Sequence, residues 1–143
     1  LVELMIIVSI LGILAAIVLP EFQNHQQIAK ETQAKANLKL LREAIERYAL
    51  DFGVPPGYPD NDPTQTITTG LAFHTQLTGP GKYISRIPQN PFNDLAGVNV
   101  LPDATDFPTE PIDSYGWIYK PQTKEIRLNW TGTDSEGKLF FDY

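Results

Sequence analysis

Leu1-Val2-Glu3-Leu4-Met5-Ile6-Ile7-Val8-Ser9-Ile10-Leu11-Gly12-Ile13-Leu14-Ala15-Ala16-Ile17-Val18-Leu19-Pro20 decides the fold, because between Leu1 and Leu19 only Glu3, Ser9 and Gly12 fall outside the hydrophobic set. As helix, this run spans about 28 Å, close to the hydrocarbon thickness of a bilayer. A secretory signal has a shorter apolar region, about 7 to 15 residues, with basic residues before it. Here the first basic residue is Lys30. The run therefore reads as a helix that spans a membrane or is buried just as fully by other chains.

Beyond Pro20 the pattern becomes amphipathic. Ala34, Leu38, Leu41, Ile45, Tyr48 and Phe52 recur every three or four residues and define one helix face, expected to be core packed on a sheet. Glu31 with Lys35, and Glu43 with Arg47, have the spacing and order of favourable helical ion pairs. The stretch from Gln23 to Gln33 has no wide apolar face, which points to another subunit as its cover. A helix from Leu1 to Phe52 would be about 78 Å long. A compact 143-residue chain is only about 37 Å across. The helix must protrude.

Gly53 sits where a C-terminal helix cap belongs, and Pro55 and Pro56 stop continuation. Of 12 Pro and 10 Gly in the chain, most lie after this point, so the remainder is rich in turns. Thr69 is placed to cap a short helix through Leu77, ended by Gly79-Pro80-Gly81. A short extended piece follows at Tyr83 to Ile87, then irregular chain to about Ser114. Alternating β-formers at Tyr115–Lys120 and Glu125–Trp130, with a third run at Lys138–Tyr143, predict a small antiparallel sheet. The fold class is α+β: a long N-terminal helix, protruding in its first half, packed on that sheet. The divisions are 1–25 for the apolar helix and 26–143 for the globular part, which comprises an amphipathic helix (26–52), an irregular region with a short helix (53–114) and the sheet (115–143).

Net charge is -6, with no basic face, so phosphate-driven nucleic-acid binding has little electrostatic support. The absence of Cys removes disulfides, thiolate nucleophiles and Cys-bound zinc. His25 and His74, the only histidines, belong to no metal or nucleophile motif. Ser9 is expected to bond back to its own helix. Asn129-Trp130-Thr131 fits the glycosylation pattern but falls within a strand. Asp134, Glu136 and Asp142 flank a Gly-containing loop, the oxygen-rich turn that calcium needs, although a solvated turn reads as well from the same residues. Asp60-Asn61-Asp62 is a weaker candidate of that kind. No cofactor is otherwise indicated, and no enzyme activity is expected.

The segment Leu1–Pro20 resembles the N-terminal segment of type IV pilins and of the pseudopilins of type II secretion: one acid near the start, a Pro seventeen residues later and apolar residues almost throughout. Gly116-Trp117-Ile118-Tyr119-Lys120-Pro121 and Thr131-Gly132-Thr133-Asp134-Ser135-Glu136-Gly137 are similar to the C-terminal part of some bacterial members. The resemblance implies a lollipop-shaped subunit, held in the bacterial cytoplasmic membrane before assembly and in an extracellular pilus or periplasmic pseudopilus afterwards. Its implied partners are further copies of itself in a helical filament, a prepilin peptidase and the assembly machinery. Family members normally carry two residues ahead of the position of Leu1, commonly Phe-Thr, the first of them N-methylated. By the same resemblance, Glu3 pairs with the terminal amine of a neighbouring subunit, and the loop after Thr131 is a calcium region in major pseudopilins.

Gly12 and Pro20 are the further assembly residues. Pro20 removes a helical hydrogen bond and Gly12, Ile17 and Val18 weaken the helix, so a non-helical stretch within Leu14–Glu21 is expected in an assembled filament. The lack of a C-terminal disulfide loop favours a pseudopilus, and Asn90-Pro91-Phe92-Asn93, in place of the Asp-Pro-Trp-Gly type frequent in major pseudopilins, favours a pilus serving adhesion, motility or DNA uptake. A membrane-tethered binding domain or enzyme is the alternative of another class.

Overall fold

A computed structural model describes residues 1–143 apart from Pro80 and Asp113. The long helix, α1, runs from Val2 to Phe52 and is about 77 Å long. It ends as the sequence requires: Gly53 adopts the left-handed conformation (φ 71°) and its N–H bonds the carbonyl of Ala49. Leu1 to Lys30 are exposed throughout, and burial begins at Glu31. From there Ala34, Leu38, Leu41, Ile45 and Tyr48 are buried as the stripe predicts, joined by Ala44. Phe52 departs from the stripe. It is exposed, stacked on the ring of Tyr48 with 4.5 Å between centroids, because the head ends before the last turn of α1 does.

The short helix α2 spans Leu71–Leu77, with Phe73 and Leu77 in the core. Its N-cap is Gly70 and not the expected Thr69, and no side chain caps it; Thr69, one residue further out, accepts the N–H of Leu71 through Oγ1 (3.3 Å). Of the expected stop Gly79-Pro80-Gly81, Pro80 lies outside the described residues; the helix ends at Leu77. Within Tyr83–Ile87, Ile84 forms a parallel bridge with Thr78.

The sheet has three strands but a different composition from the one the alternation suggests. β1 is Val98–Val100, β2 is Trp117–Lys120 and β3 is Glu125–Leu128, in the order β1-β2-β3. β2 and β3 pair antiparallel around the turn Pro121–Lys124, with Trp117 opposite Leu128. β1 is parallel to β2, with Val98 opposite Trp117, so the sheet is mixed and not antiparallel. The run Lys138–Tyr143 is not a strand: Leu139 makes one bridge with Thr133, and Phe140–Asp142 is a 3-10 turn that places Phe140 in the core. The region 53–114 accordingly contributes a strand as well as a helix.

One face of the sheet lies on α1, which packs chiefly on β3, and the core between them includes Leu38, Leu41, Ile45, Phe73, Trp117, Tyr119, Ile126 and Leu128. Two buried asparagines brace the connections around it. Asn90 donates to the carbonyls of Gly116 (3.0 Å) and Asn129 (3.3 Å) and accepts the N–H of Phe92. Asn129 accepts the N–H of Ile112 (2.8 Å) and donates to the carbonyls of Ile112 and Tyr115. Gly116 is required here, since a Cβ would stand 2.0 Å from the carbonyl oxygen of Leu95. These amides satisfy loop backbone that no strand pairs, which is why irregular chain can be buried at all. The loop Asn90–Asn93 is thus a structural brace.

Candidate assembly surface and the junction with the head

The stalk, residues 2–30 of α1, presents its apolar side chains on every side. Leu4, Ile6, Ile10, Leu11, Leu14 and Ile17 all expose more than half their area, and none of the apolar window is covered by the head. Its length and composition suffice to cross a bilayer. Among the described residues it is the one helix that meets that test. Ser9 Oγ donates to the carbonyl of Met5 (2.7 Å), so the single hydroxyl of the run is satisfied within the helix and leaves its surface apolar. Glu3 is exposed in the first turn. Around Gly12 an added Cβ would meet nothing within 4 Å, so the space beside it is open to a close neighbour. The helix continues through Pro20 without a break in the single chain. Pro20 still lacks the N–H that would bond the carbonyl of Ala16, leaving a weak point rather than an interruption.

At the junction, the structure gives Glu31 a role that local spacing does not. Glu31 is buried, and its carboxylate accepts Ser135 N–H (3.1 Å), Ser135 Oγ–H (2.9 Å) and Gln27 Nε2 (3.1 Å). It does not pair with Lys35, whose Nζ instead lies 3.6 Å from Asp134. The second expected pair also differs: Glu43 meets Lys39 at 4.0 Å and not Arg47. Two acids, one on α1 and one on the C-terminal turn, therefore clasp the stalk to the head. No signal in the sequence marks Glu31, because its partner is 104 residues away.

Asp134 is the other half of the clasp. Its side chain is 1% exposed. It accepts the hydroxyl of Tyr143 (2.5 Å) and the N–H groups of Glu136 and Lys138 (2.9 Å each). The Tyr143 hydroxyl, with the two N–H groups and Lys35, holds its carboxyl down at about 2 against the opposing effect of burial. Burial first, and then the Asp134 carboxylate, raises the hydroxyl of Tyr143. Of the calcium candidates Asp134, Glu136 and Asp142, the structure engages the first within the protein. Asp134 is occupied by proton donors and faces an ammonium, and among the described residues no three His, Cys, Asp or Glu side chains form a metal-binding group. At the weaker candidate, Asp62 accepts from Thr64 and Asn61 from Tyr48 and Gln76. Asn129 is buried in its network, out of reach of a glycan. His25 lies 3.3 Å from Glu21 on the exposed stalk, and the His74 ring on α2 lies 3.2 Å from the hydroxyl of Thr78, the residue that caps that helix.

A small α+β head on an apolar rod that none of the described residues covers defines a class of protein whose rod is left to be buried by lipid or by other chains. Similarity to known proteins agrees. The chain is 33% identical to the type II secretion system core protein G of Pseudomonas aeruginosa over 95 residues, 66% of each chain. It is 34% identical to that of Vibrio cholerae over 102 residues, 66% of this chain and 64% of the other. To the type IV major pilin protein PilA of Myxococcus xanthus it is 54% identical over 48 residues, 34% of this chain and 22% of the other. The chain thus spans just under two thirds of the length of the core proteins that it matches. No family model and no solved structure matches it. Its homologues are thus the core protein G pseudopilins of type II secretion and the type IV pilins, at modest identity over about two thirds of the chain.

Proposed function

We propose that this chain is a structural, non-catalytic subunit that self-assembles into a helical filament. The observation that carries the reading is the stalk: thirty consecutive exposed residues, two thirds of them the apolar run, rigidly continuous with a folded head. Burying such a surface is worth about 25 cal/mol per Å² of apolar area removed from water. Lipid supplies that burial to a single subunit, and neighbouring stalks supply it in a filament. In this account the subunit waits in the cytoplasmic membrane after cleavage by a prepilin peptidase and is moved into the filament by the assembly machinery.

A carboxylate at Glu3 is costly in an apolar setting, by about 2.5 to 3.5 kcal/mol on insertion scales. Pairing it with a terminal amine of the next subunit would remove that cost and set register, while Gly12 permits close approach and Pro20 local extension. Between the two filament types, the longer matches to core protein G support a pseudopilus that drives protein export. A type IV pilus is the second reading, supported by the denser identity to PilA and by the match to a type IV major pilin protein, PilE1, of Neisseria gonorrhoeae at 36% over 87 residues. Electron microscopy of material sheared from cells decides: long surface fibres containing this chain support the pilus, and their absence together with loss of exoprotein secretion on deletion supports the pseudopilus.

A further inference from the structure

Between Pro20 and Lys30 every residue of α1 is exposed. Among the described residues, the hydrogen bonds and ion pairs of these side chains stay within the helix, as Glu21 with His25 (3.3 Å) and Gln27 with Glu31 (3.1 Å). Such a stretch is held by little beyond its backbone hydrogen bonds, and each helical residue added or removed in water changes the free energy only slightly. Pro20 has already removed one of those bonds. In lipid or detergent an open backbone group has no partner, so the apolar run below Pro20 is closed to unwinding there. On the other side, the first side chain of α1 fixed from outside the helix is Glu31, buried and bonded by the N–H (3.1 Å) and the hydroxyl (2.9 Å) of Ser135. The next ties come later: Ala34 is fully buried, and Asn37 donates to the carbonyl of Gln89 (2.9 Å).

We infer that Pro20 to Lys30 is a joint that opens while the head stays folded, and that the contact of Glu31 with Ser135 is the stop that keeps the opening from entering the head. The inference goes beyond the filament reading and does not depend on it, since a single subunit in a membrane has the same joint. Glu31 is a positioning residue here, acting on the helix through the C-terminal turn. Helix geometry says where the stop shows itself. Each N–H bonds the carbonyl four residues earlier, so opening through Lys30 frees the amides as far as Ala34 and leaves Lys35 as the first protected one. Without the stop, Ala34 becomes the first anchored residue and the opening runs through Gln33. The amides of Lys35, Ala36 and Asn37 then lose their partners, the carbonyls of Glu31, Thr32 and Gln33. An open joint lengthens the tether by about 20 Å and lets the head turn on its stalk. The stop at Glu31 spares the stripe that begins at Ala34, so this freedom costs the core nothing.

Residue-resolved hydrogen exchange on the full chain in detergent micelles tests both parts. In the parent, amides from Gln26 to Ala34 should exchange at least about tenfold faster than those from Lys35 to Tyr48. Glu31→Ala should speed Lys35, Ala36 and Asn37 about tenfold, the size expected when hydrogen bonds to a charged group are lost, and leave Leu38 to Tyr48 unchanged. Alanine is the better helix former, so an effect of local propensity alone would slow these three amides instead. Ser135→Ala removes only the hydroxyl and should give a smaller rise, with none in the Glu31→Ala background. Equal rates from Gln26 to Asn37 in the parent would overturn the joint, and unchanged rates at Lys35 to Asn37 in Glu31→Ala would overturn the stop. Amides of β2 and β3 report on the head; should Glu31→Ala expose them as well, Ser135→Ala decides by the same three amides. No filament is needed for any of these readings, so a failure of the filament reading shows separately, as a parent chain that forms no fibres.

Discussion

Leu11 and Leu41 occupy one continuous helix, yet the first is 59% exposed and the second fully buried. The residue, the backbone and the helix are the same, and only what lies alongside differs. In the head the sheet, α2 and the loops around them cover α1 from Glu31 to Tyr48, so apolar residues there are spent on the chain's own stability. In the stalk nothing intramolecular covers them, and their burial energy remains for association. One helix thus divides between folding and assembly, and the division is made by where the head begins.

The largest expected effect comes from separating the two parts. Removal of residues 1–25 should convert a membrane-associated protein into a soluble monomer with an unchanged head, because the first buried residue of α1 is Glu31; size-exclusion chromatography and circular dichroism check both halves of that outcome, and an unfolded or aggregated fragment would break the comparison. Glu3→Ala should leave the protein in the membrane fraction while sharply reducing filaments, because the apolar run drives insertion and the carboxylate serves registration. Normal filament yield would remove Glu3 from assembly.

Leu41→Ala in the 26–143 fragment should cost about 2 to 5 kcal/mol in denaturant unfolding, whereas Leu11→Ala in the full chain should leave the head's unfolding transition in place. A smaller effect should come from the clasp. The Asp134 carboxyl lies near 2 when folded against an ordinary 3.8. Its contribution is therefore complete above about pH 4 and is lost as pH falls through about 2. The Asp134→Asn variant should be less stable at neutral pH, with the difference narrowing on acidification. The smallest expected effect concerns calcium: with Asp134 already engaged by Tyr143 and two N–H groups, millimolar calcium and chelator should give the same thermal midpoint, and a higher midpoint in calcium would make the loop its site.

How much of this was legible in the sequence depended on how far each residue's reasons lay from it in the chain. The α1 stripe and its Gly53 stop were readable because their causes are local: a helical period, a left-handed cap and two prolines. The hairpin at Trp117–Leu128 was readable for the same reason. β1 was not, because Val98-Asn99-Val100 is too short to alternate and its partner β2 is reached only after a loop, in parallel. The run Lys138–Tyr143 misled in the opposite direction. Its β-formers belong to a 3-10 turn whose Phe140 packs on Phe92, at 4.6 Å between ring centroids, and on Tyr143. In the site, Glu3, Gly12 and Pro20 stand out by being unlike their apolar neighbours. Glu31, Asn90 and Asn129 look ordinary where they stand and gain their roles only from loops folded against them.

The unbroken passage of α1 from stalk to head has a mechanical consequence. In a fibre of such subunits, tension applied at one end passes along one backbone per copy, through hydrogen bonds that lie in series nearly parallel to the pull. The head hangs from the side of that rod by the clasp and the buried stripe, so its sheet need not bear the strain. Extension would therefore begin in the rod, where Pro20 already leaves one bond unmade, and each residue that unwinds there would add about 1.8 Å. Such a fibre keeps its elasticity in the axis, while the surface it shows to its surroundings retains its shape.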